Sequence, residues 1–241
     1  MMAEREVYLT PTTILRWVQR YVPEFERRWA RFAKPTNSSW RMDETAVSVR
    51  GECKYLYRPV DRNGKSIHSV LREDRTIEAA KAFFREAVAV GGVGWPEKIN
   101  LDGNTATHRG LQLLGEEDPR WRTVVVRASR YLNNIVEQDH RAIKRRRSAM
   151  LGLKSTRTAA ITLAGVELVN RIRKGQFALT PGGQGRVSLR ELWDRALADA
   201  PRPTRENDEH GPSTHQISRA LAQKEGIAAH IQAAFTSVLV H

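Results

Sequence analysis

The sequence predicts an α/β fold: a mixed five-stranded sheet flanked by helices, with a helical segment before it and a helical or disordered tail after it. Three observations predict it. The hydrophobic repeat changes from helical spacing to short extended runs near residue 39, and back to helical spacing near residue 75. Asn63-Gly64 is a strong hairpin signal between two of the extended runs. Beyond residue 90, extended and helical segments alternate, the pattern of a sheet covered by helices.

The first element is "LTPTTILRWVQRY", residues 9–21. Thr10 is a good N-cap, Pro11 stands where its missing N–H costs nothing, and Leu9 with Ile14 suits a hydrophobic staple. Ile14, Trp17, Val18 and Tyr21 share one apolar face, leaving Thr12, Thr13, Arg16, Gln19 and Arg20 elsewhere. Those polar types contact phosphates and base edges, so the helix fits the recognition helix of a helix-turn-helix; an ordinary amphipathic surface helix fits equally well. A second helical stretch, "PEFERRWARFAK", ends at the polar break "PTNSS". "SWRMDETAVSVRGECKYLYRPVDRNGKSIHSVLRE" reads as three short strands.

Residues 75–90 read as a helix that "GGVG" ends. "EKINLD" is a strand stopping at Asp102, "NTATHRGLQLLGE" a helix, "RTVVVR" a strand, and residues 134–147 a helix. A last core helix spans "STRTAAITLAGVELVNRIRKG", with Ile161, Gly165, Leu168 and Ile172 as its stripe and Gly175 as its cap. This order is compatible with a ribonuclease-H-like core. The expected organisation is a DNA-binding region and linker at 1–36, a core at 37–179 and a variable tail at 180–241.

Composition narrows the partners. Forty Lys plus Arg against 27 Asp plus Glu give a net charge of +13 over 241 residues, which points to a polyanion, most often nucleic acid. The single cysteine, Cys53, excludes an internal disulfide framework and a Cys-based zinc site, and suits a reducing cytoplasm. No apolar run approaches the length of a membrane span, and the start lacks the apolar core of a secretory signal, so no membrane role is expected.

Three acids carry the chemistry. Asp43 lies in the first strand, Asp102 ends the fourth, and Glu137 sits on the helix after the fifth. In a ribonuclease-H-like sheet the first and fourth strands are neighbours, so the three can converge. Oxygen ligands of this kind suit Mg²⁺, and two ions about 3.5–4 Å apart stabilise both the attacking and the leaving oxygen of a phosphoryl displacement. Singly each has an ordinary reading: a strand-end acid, a helix N-cap, a salt-bridge partner. Their joint placement is what distinguishes them.

"TTILRWVQRY", "WRMDETAVSVRGECKYLYRPVDRNG", "NLDGNTATHRG", "RYLNNIVEQDHRAIKRR" and "MLGLKSTRTAAITLAGVELVNRIRKGQFAL" occur in that order between about residues 9 and 179. With them the chain resembles the DDE transposases of bacterial insertion sequences, specifically the insertion-sequence-six family. The resemblance implies a ribonuclease-H-like integrase core with Asp43, Asp102 and Glu137 as the catalytic, metal-binding triad. It implies two Mg²⁺ ions, with Mn²⁺ as a substitute. It implies Lys144, about two helical turns beyond Glu137, as a DNA-contacting residue, with Arg141, Arg145 and Arg146 neutralising phosphates beside it. The implied reaction is hydrolysis at the element's ends followed by attack of the freed 3′-hydroxyl on target DNA. Partners would be double-stranded DNA and further copies of the chain assembled on it, in the bacterial cytoplasm at the nucleoid.

The amino terminus departs from the resemblance: residues 1–5 fall at the end of a supporting helix, and Glu6 stands where a turn glycine is expected. Residues 1–8 supply little to cover Ile14, Trp17 and Val18, so that face is expected to be uncovered. The expectation that follows is a truncated copy with salt-sensitive DNA binding and little preference for its own ends. The alternative from another class is a non-catalytic DNA-binding remnant that competes with intact transposase.

Overall fold

The computed structural model describes residues 11–90, 94–128 and 153–178. Its elements run α1 (Pro11–Ala30), β1 (Ser39–Val49), β2 (Glu52–Asp61), β3 (Val70–Arg72), α2 (Ile77–Ala89), β4 (Lys98–Leu101), α3 (Thr105–Glu117), a 3₁₀ turn (Pro119–Thr123), β5 (Val125–Ala128) and α4 (Thr156–Arg173). The five strands form one sheet in the order β3-β2-β1-β4-β5. β1, β2 and β3 are antiparallel neighbours, and β4 and β5 run parallel to β1. This is the mixed sheet and strand order of a ribonuclease-H-like core.

The extended region holds two long strands and one short one. Arg50-Gly51 makes a two-residue turn between β1 and β2 with positive φ at both residues, 55° and 86°, the geometry whose twist matches that of the strands it joins. The Asn63-Gly64 turn follows β2 as expected, with Gly64 at φ 77°. Buried Asp61 organises it, its Oδ1 accepting from the N–H groups of Asn63 and Lys65 at 2.8 and 2.9 Å.

Side-chain alternation sorts the two faces of the sheet. Trp40, Met42, Tyr57, Ile99 and Leu101 face α2 and α3 in one core, where Tyr57 stacks on Phe83 at 5.3 Å between centroids. Val47, Val49 and Leu56 face α1 and α4 in the other, where Trp29 meets Phe177 edge-on at 4.9 Å. Each such buried apolar side chain contributes about 1.5–3 kcal/mol relative to exposure.

Three expectations are corrected. The two amino-terminal helical stretches are one 20-residue helix that continues through Pro23. Proline removes one internal hydrogen bond, but the buried strip Val18, Val22, Phe25 and Trp29 runs uninterrupted past it against α4 and the sheet. For the same reason the apolar face is not left uncovered at Val18, which is 3% exposed; the side chains of Ile14 and Trp17 are not among those described. The stripe of α4 is wider than Ile161, Gly165, Leu168 and Ile172, because the helix is wedged between α1 and the sheet and also buries Thr162, Leu163, Val166, Glu167, Val169 and Asn170. The Gly175 cap is as expected, at φ 63°.

The helix expected at 134–147 and the tail beyond 178 lie outside the described residues. Among the described residues, no helix is long and apolar enough to cross a membrane.

Candidate active site

β1 and β4 bring the first two acids to one place. Their parallel ladder pairs Trp40 with Ile99 and Arg41 with Asn100. Carried two residues further, the same register sets Asp43 abreast of Asp102. Alternation assigns both to the face away from Trp40, Met42, Ile99 and Leu101, which is the α1/α4 face. Both side chains are half-buried.

On its other flank Asp43 is paired across the β1–β2 ladder with Arg58. Arg58 is fully buried, and its Nε donates to Glu167 Oε2 of α4 at 2.8 Å. Burial, the largest single influence, pushes the Glu167 carboxyl up, but the Arg58 cation, the Ser66 hydroxyl and the Lys174 charge together outweigh it and the net direction is down. Arg171, one turn further along α4, is pushed down by burial while Glu167 and Glu26 of α1 favour its charge. A charged group thus joins β2, α4 and α1, with Arg58 and Glu167 buried, Arg171 half-buried and Glu26 exposed.

Asp102 heads the turn into α3. Its Oδ1 accepts from the Asn104 N–H at 3.1 Å, and its carbonyl oxygen is bonded by His108 Nε2 at 3.0 Å. Asn104 caps α3, its Oδ1 accepting from the Ala106 N–H at 3.0 Å. The expected ordinary role of Asp102 as N-cap therefore belongs to Asn104, which leaves the Asp102 carboxylate at the mouth of the turn. Glu44 was not anticipated: it projects to the opposite face from Asp43 and binds Asn104 Nδ2 at 2.7 Å and Thr107 Oγ1. Burial pushes its carboxyl up, the Thr107 and Asn104 donors pull it down, and the Asp102 charge adds to the upward push. The motifs "MDET" and "DGNTATH" contained these residues, but no spacing rule links positions 60 apart in sequence.

Glu137, Lys144, Arg141, Arg145 and Arg146 lie outside the described residues. Among the described residues no group of three or more His, Cys, Asp or Glu is gathered for a metal ion. Asp43 and Asp102 supply two carboxylates on adjacent strands, a hard oxygen set that fits Mg²⁺ or Mn²⁺ with open positions for water and phosphate oxygens. On α1, Thr12, Arg16 and Arg20 recur every four residues and are exposed on one side of the helix, opposite the buried strip; the Thr13 side chain is not among those described.

Known proteins resemble this chain over much of its length. The model of a family described as a DDE domain matches residues 37–176. The transposase for insertion sequence-like element IS431mec of Staphylococcus aureus is 32% identical over 174 residues, 72% of this chain and 75% of the relative. The transposase for insertion sequence element IS257 in transposon Tn4003, also of Staphylococcus aureus, is 32% identical over 170 residues, 70% and 73% of the two chains. Among solved structures, the HTLV-2 integrase catalytic core domain in complex with magnesium (trimeric form) aligns with a TM-score of 0.44 at 19% identity, covering 63% of this chain and 95% of that one.

Proposed function

This chain belongs to the DDE transposases of the insertion-sequence-six family, and we propose that it cleaves DNA at the ends of its insertion sequence and joins them to target DNA. What supports this reading is the β1–β4 register, which, carried two residues beyond its last pair, brings Asp43 and Asp102 level on one face of the sheet, inside the region that the DDE family matches.

In this reading Asp43 and Asp102, with Glu137, hold divalent magnesium or manganese. The bound cations supply Lewis-acid polarisation of the scissile phosphate and stabilise charge on the attacking and leaving oxygens. The residues do the rest. The carboxylates fix the geometry of the site. Lys144, Arg141, Arg145 and Arg146 neutralise the phosphates of the strand being cut. Thr12, Thr13, Arg16 and Arg20 engage duplex DNA on α1. Water attacks the phosphodiester at the element's end, and the 3′-oxygen leaves and takes a proton. That 3′-hydroxyl then attacks a target phosphodiester, forming one bond as another breaks, with no covalent enzyme intermediate. Joining two ends calls for at least two copies of the chain on DNA, working at the bacterial nucleoid.

The test is an assay that scores cleavage and strand joining separately on a duplex carrying the element's ends. Asp43→Asn, Asp102→Asn and Glu137→Gln should each abolish both products while DNA binding persists. Near-normal metal-dependent cleavage in any of them removes that residue from the triad. Cleavage without joining by the unaltered chain reduces the proposal to a nuclease.

A further inference from the structure

The ladder that aligns β1 with β4 ends at Arg41 and Asn100, two residues short of both acids. What holds Asp102 beside Asp43 is therefore the turn at residues 102–104, and that turn is fastened from the far side of the sheet. Glu44 accepts from Asn104 Nδ2 at 2.7 Å with one carboxylate oxygen and from Thr107 Oγ1 with the other. Asn104 in turn gives its backbone N–H to Asp102 Oδ1 and caps α3. Thr107 is 1% exposed, so its end of the clamp is buried in the packed base of the helix. Glu44 cannot replace Asp43 as a ligand: it projects to the opposite face and both its oxygens are engaged by donors.

We infer that Glu44 is a positioning residue that fixes the Asp102 turn against β1, and so sets the separation of the Asp43–Asp102 pair and its affinity for a divalent cation. The inference rests on the reading of those two acids as metal-holding. Being adjacent in β1, Asp43 and Glu44 divide the work between the two faces: one offers its oxygens to the site, the other holds the second acid in register. A carboxylate serves here because it can accept from two donors at once, whereas an amide accepts with one oxygen only. Residues that orient ligands without touching the ion typically change metal affinity by about 10- to 100-fold when removed.

The experiment is a titration of Mn²⁺ into the full, DNA-free chain, with free Mn²⁺ read by electron paramagnetic resonance and folding checked by thermal melting. Asp102→Asn should weaken binding most. Glu44→Ala should weaken it about 10-fold or more. Thr107→Val, which keeps shape and removes only the hydroxyl, should weaken it less but in the same direction, and it carries the test if Glu44→Ala does not fold. Glu44→Gln, which retains one acceptor, should fall between Glu44→Ala and the unaltered chain. Leu163→Ala, in the opposite core, should lower the melting temperature without moving the Mn²⁺ affinity. Unchanged affinity in the Glu44 and Thr107 variants alongside a loss in Asp102→Asn overturns the clamp and leaves the metal site standing. Unchanged affinity in Asp102→Asn, or no Mn²⁺ binding by the unaltered chain, overturns the metal site and the clamp with it.

Discussion

Arg58 stands directly opposite Asp43 across the β1–β2 ladder and donates its Nε to Glu167 of α4 at 2.8 Å, with both side chains buried. The pair ties the strand beside the candidate site to the helix that covers that face. Removing one partner strips the other of a buried, charge-assisted hydrogen bond. Glu167→Ala should therefore cost about 3–5 kcal/mol in denaturant unfolding, whereas Arg58→Met combined with Glu167→Leu should recover most of the loss. The pH dependence has a definite sign. The folded carboxyl titrates below its ordinary value of 4.5, so on acidification the unfolded chain takes up the proton first. The contribution of Glu167 is complete above about pH 4.5 and is lost as pH falls through the folded value. The stability gap between the unaltered chain and Glu167→Gln should be constant at neutral pH and narrow below about pH 4.5. A gap that widens on acidification contradicts the pairing.

Gly110 marks where α3 approaches α2 most closely. A Cβ there would lie 3.0 Å from Ala80 Cβ and 3.2 Å from the Ile77 carbonyl oxygen, neither of which can move without shifting α2. At Gly115 the nearest atom, 3.3 Å away, is Cγ of the Arg122 side chain. Alanine gains about 1 kcal/mol over glycine in a helix interior, while overpacking costs about 1–3 kcal/mol. Gly110→Ala should thus lower stability, and Gly115→Ala should leave it unchanged or raise it. Equal melting shifts would refute the close-approach argument.

Arg16 and Arg20 are exposed on the side of α1 opposite Val18, Val22 and Phe25. Removing one cation that neutralises a phosphate should flatten the slope of log affinity against log salt by about 0.9. Arg16→Ala and Arg20→Ala should each change it by that amount on duplex DNA. An unchanged slope returns that arginine to the solvated surface.

The sheet was legible in the residues because its signals are local. Asn63-Gly64 marks a turn, Asp102-Gly103-Asn104 ends a strand and starts a helix, and Gly175 closes α4. The neighbouring positions of Asp43 and Asp102 followed once β1 and β4 were taken as adjacent. Two things were not legible. The break expected near Pro23 was overruled by a buried strip whose value depends on α4, more than a hundred residues away. Glu44 and Arg58 act through partners 60 and 109 residues distant, and a carboxylate next to a candidate ligand, or an arginine in a strand, carries no sign of such a partner. Periodicity reports the face on which a side chain lies but not which polar group waits there.

The central claim, that Asp102 holds the catalytic cation beside Asp43, is tested most directly by exchanging the ligand's chemistry. Asp102→Cys replaces a hard oxygen with a soft thiolate, which Mg²⁺ binds poorly and Mn²⁺ or Zn²⁺ accepts more readily. DNA cleavage should be abolished in Mg²⁺ and partly restored in the softer metal, with no such preference in the unaltered chain, whose own cysteine, Cys53, is exposed in β2. Cleavage by Asp102→Cys that matches the unaltered chain in Mg²⁺ would contradict the assignment.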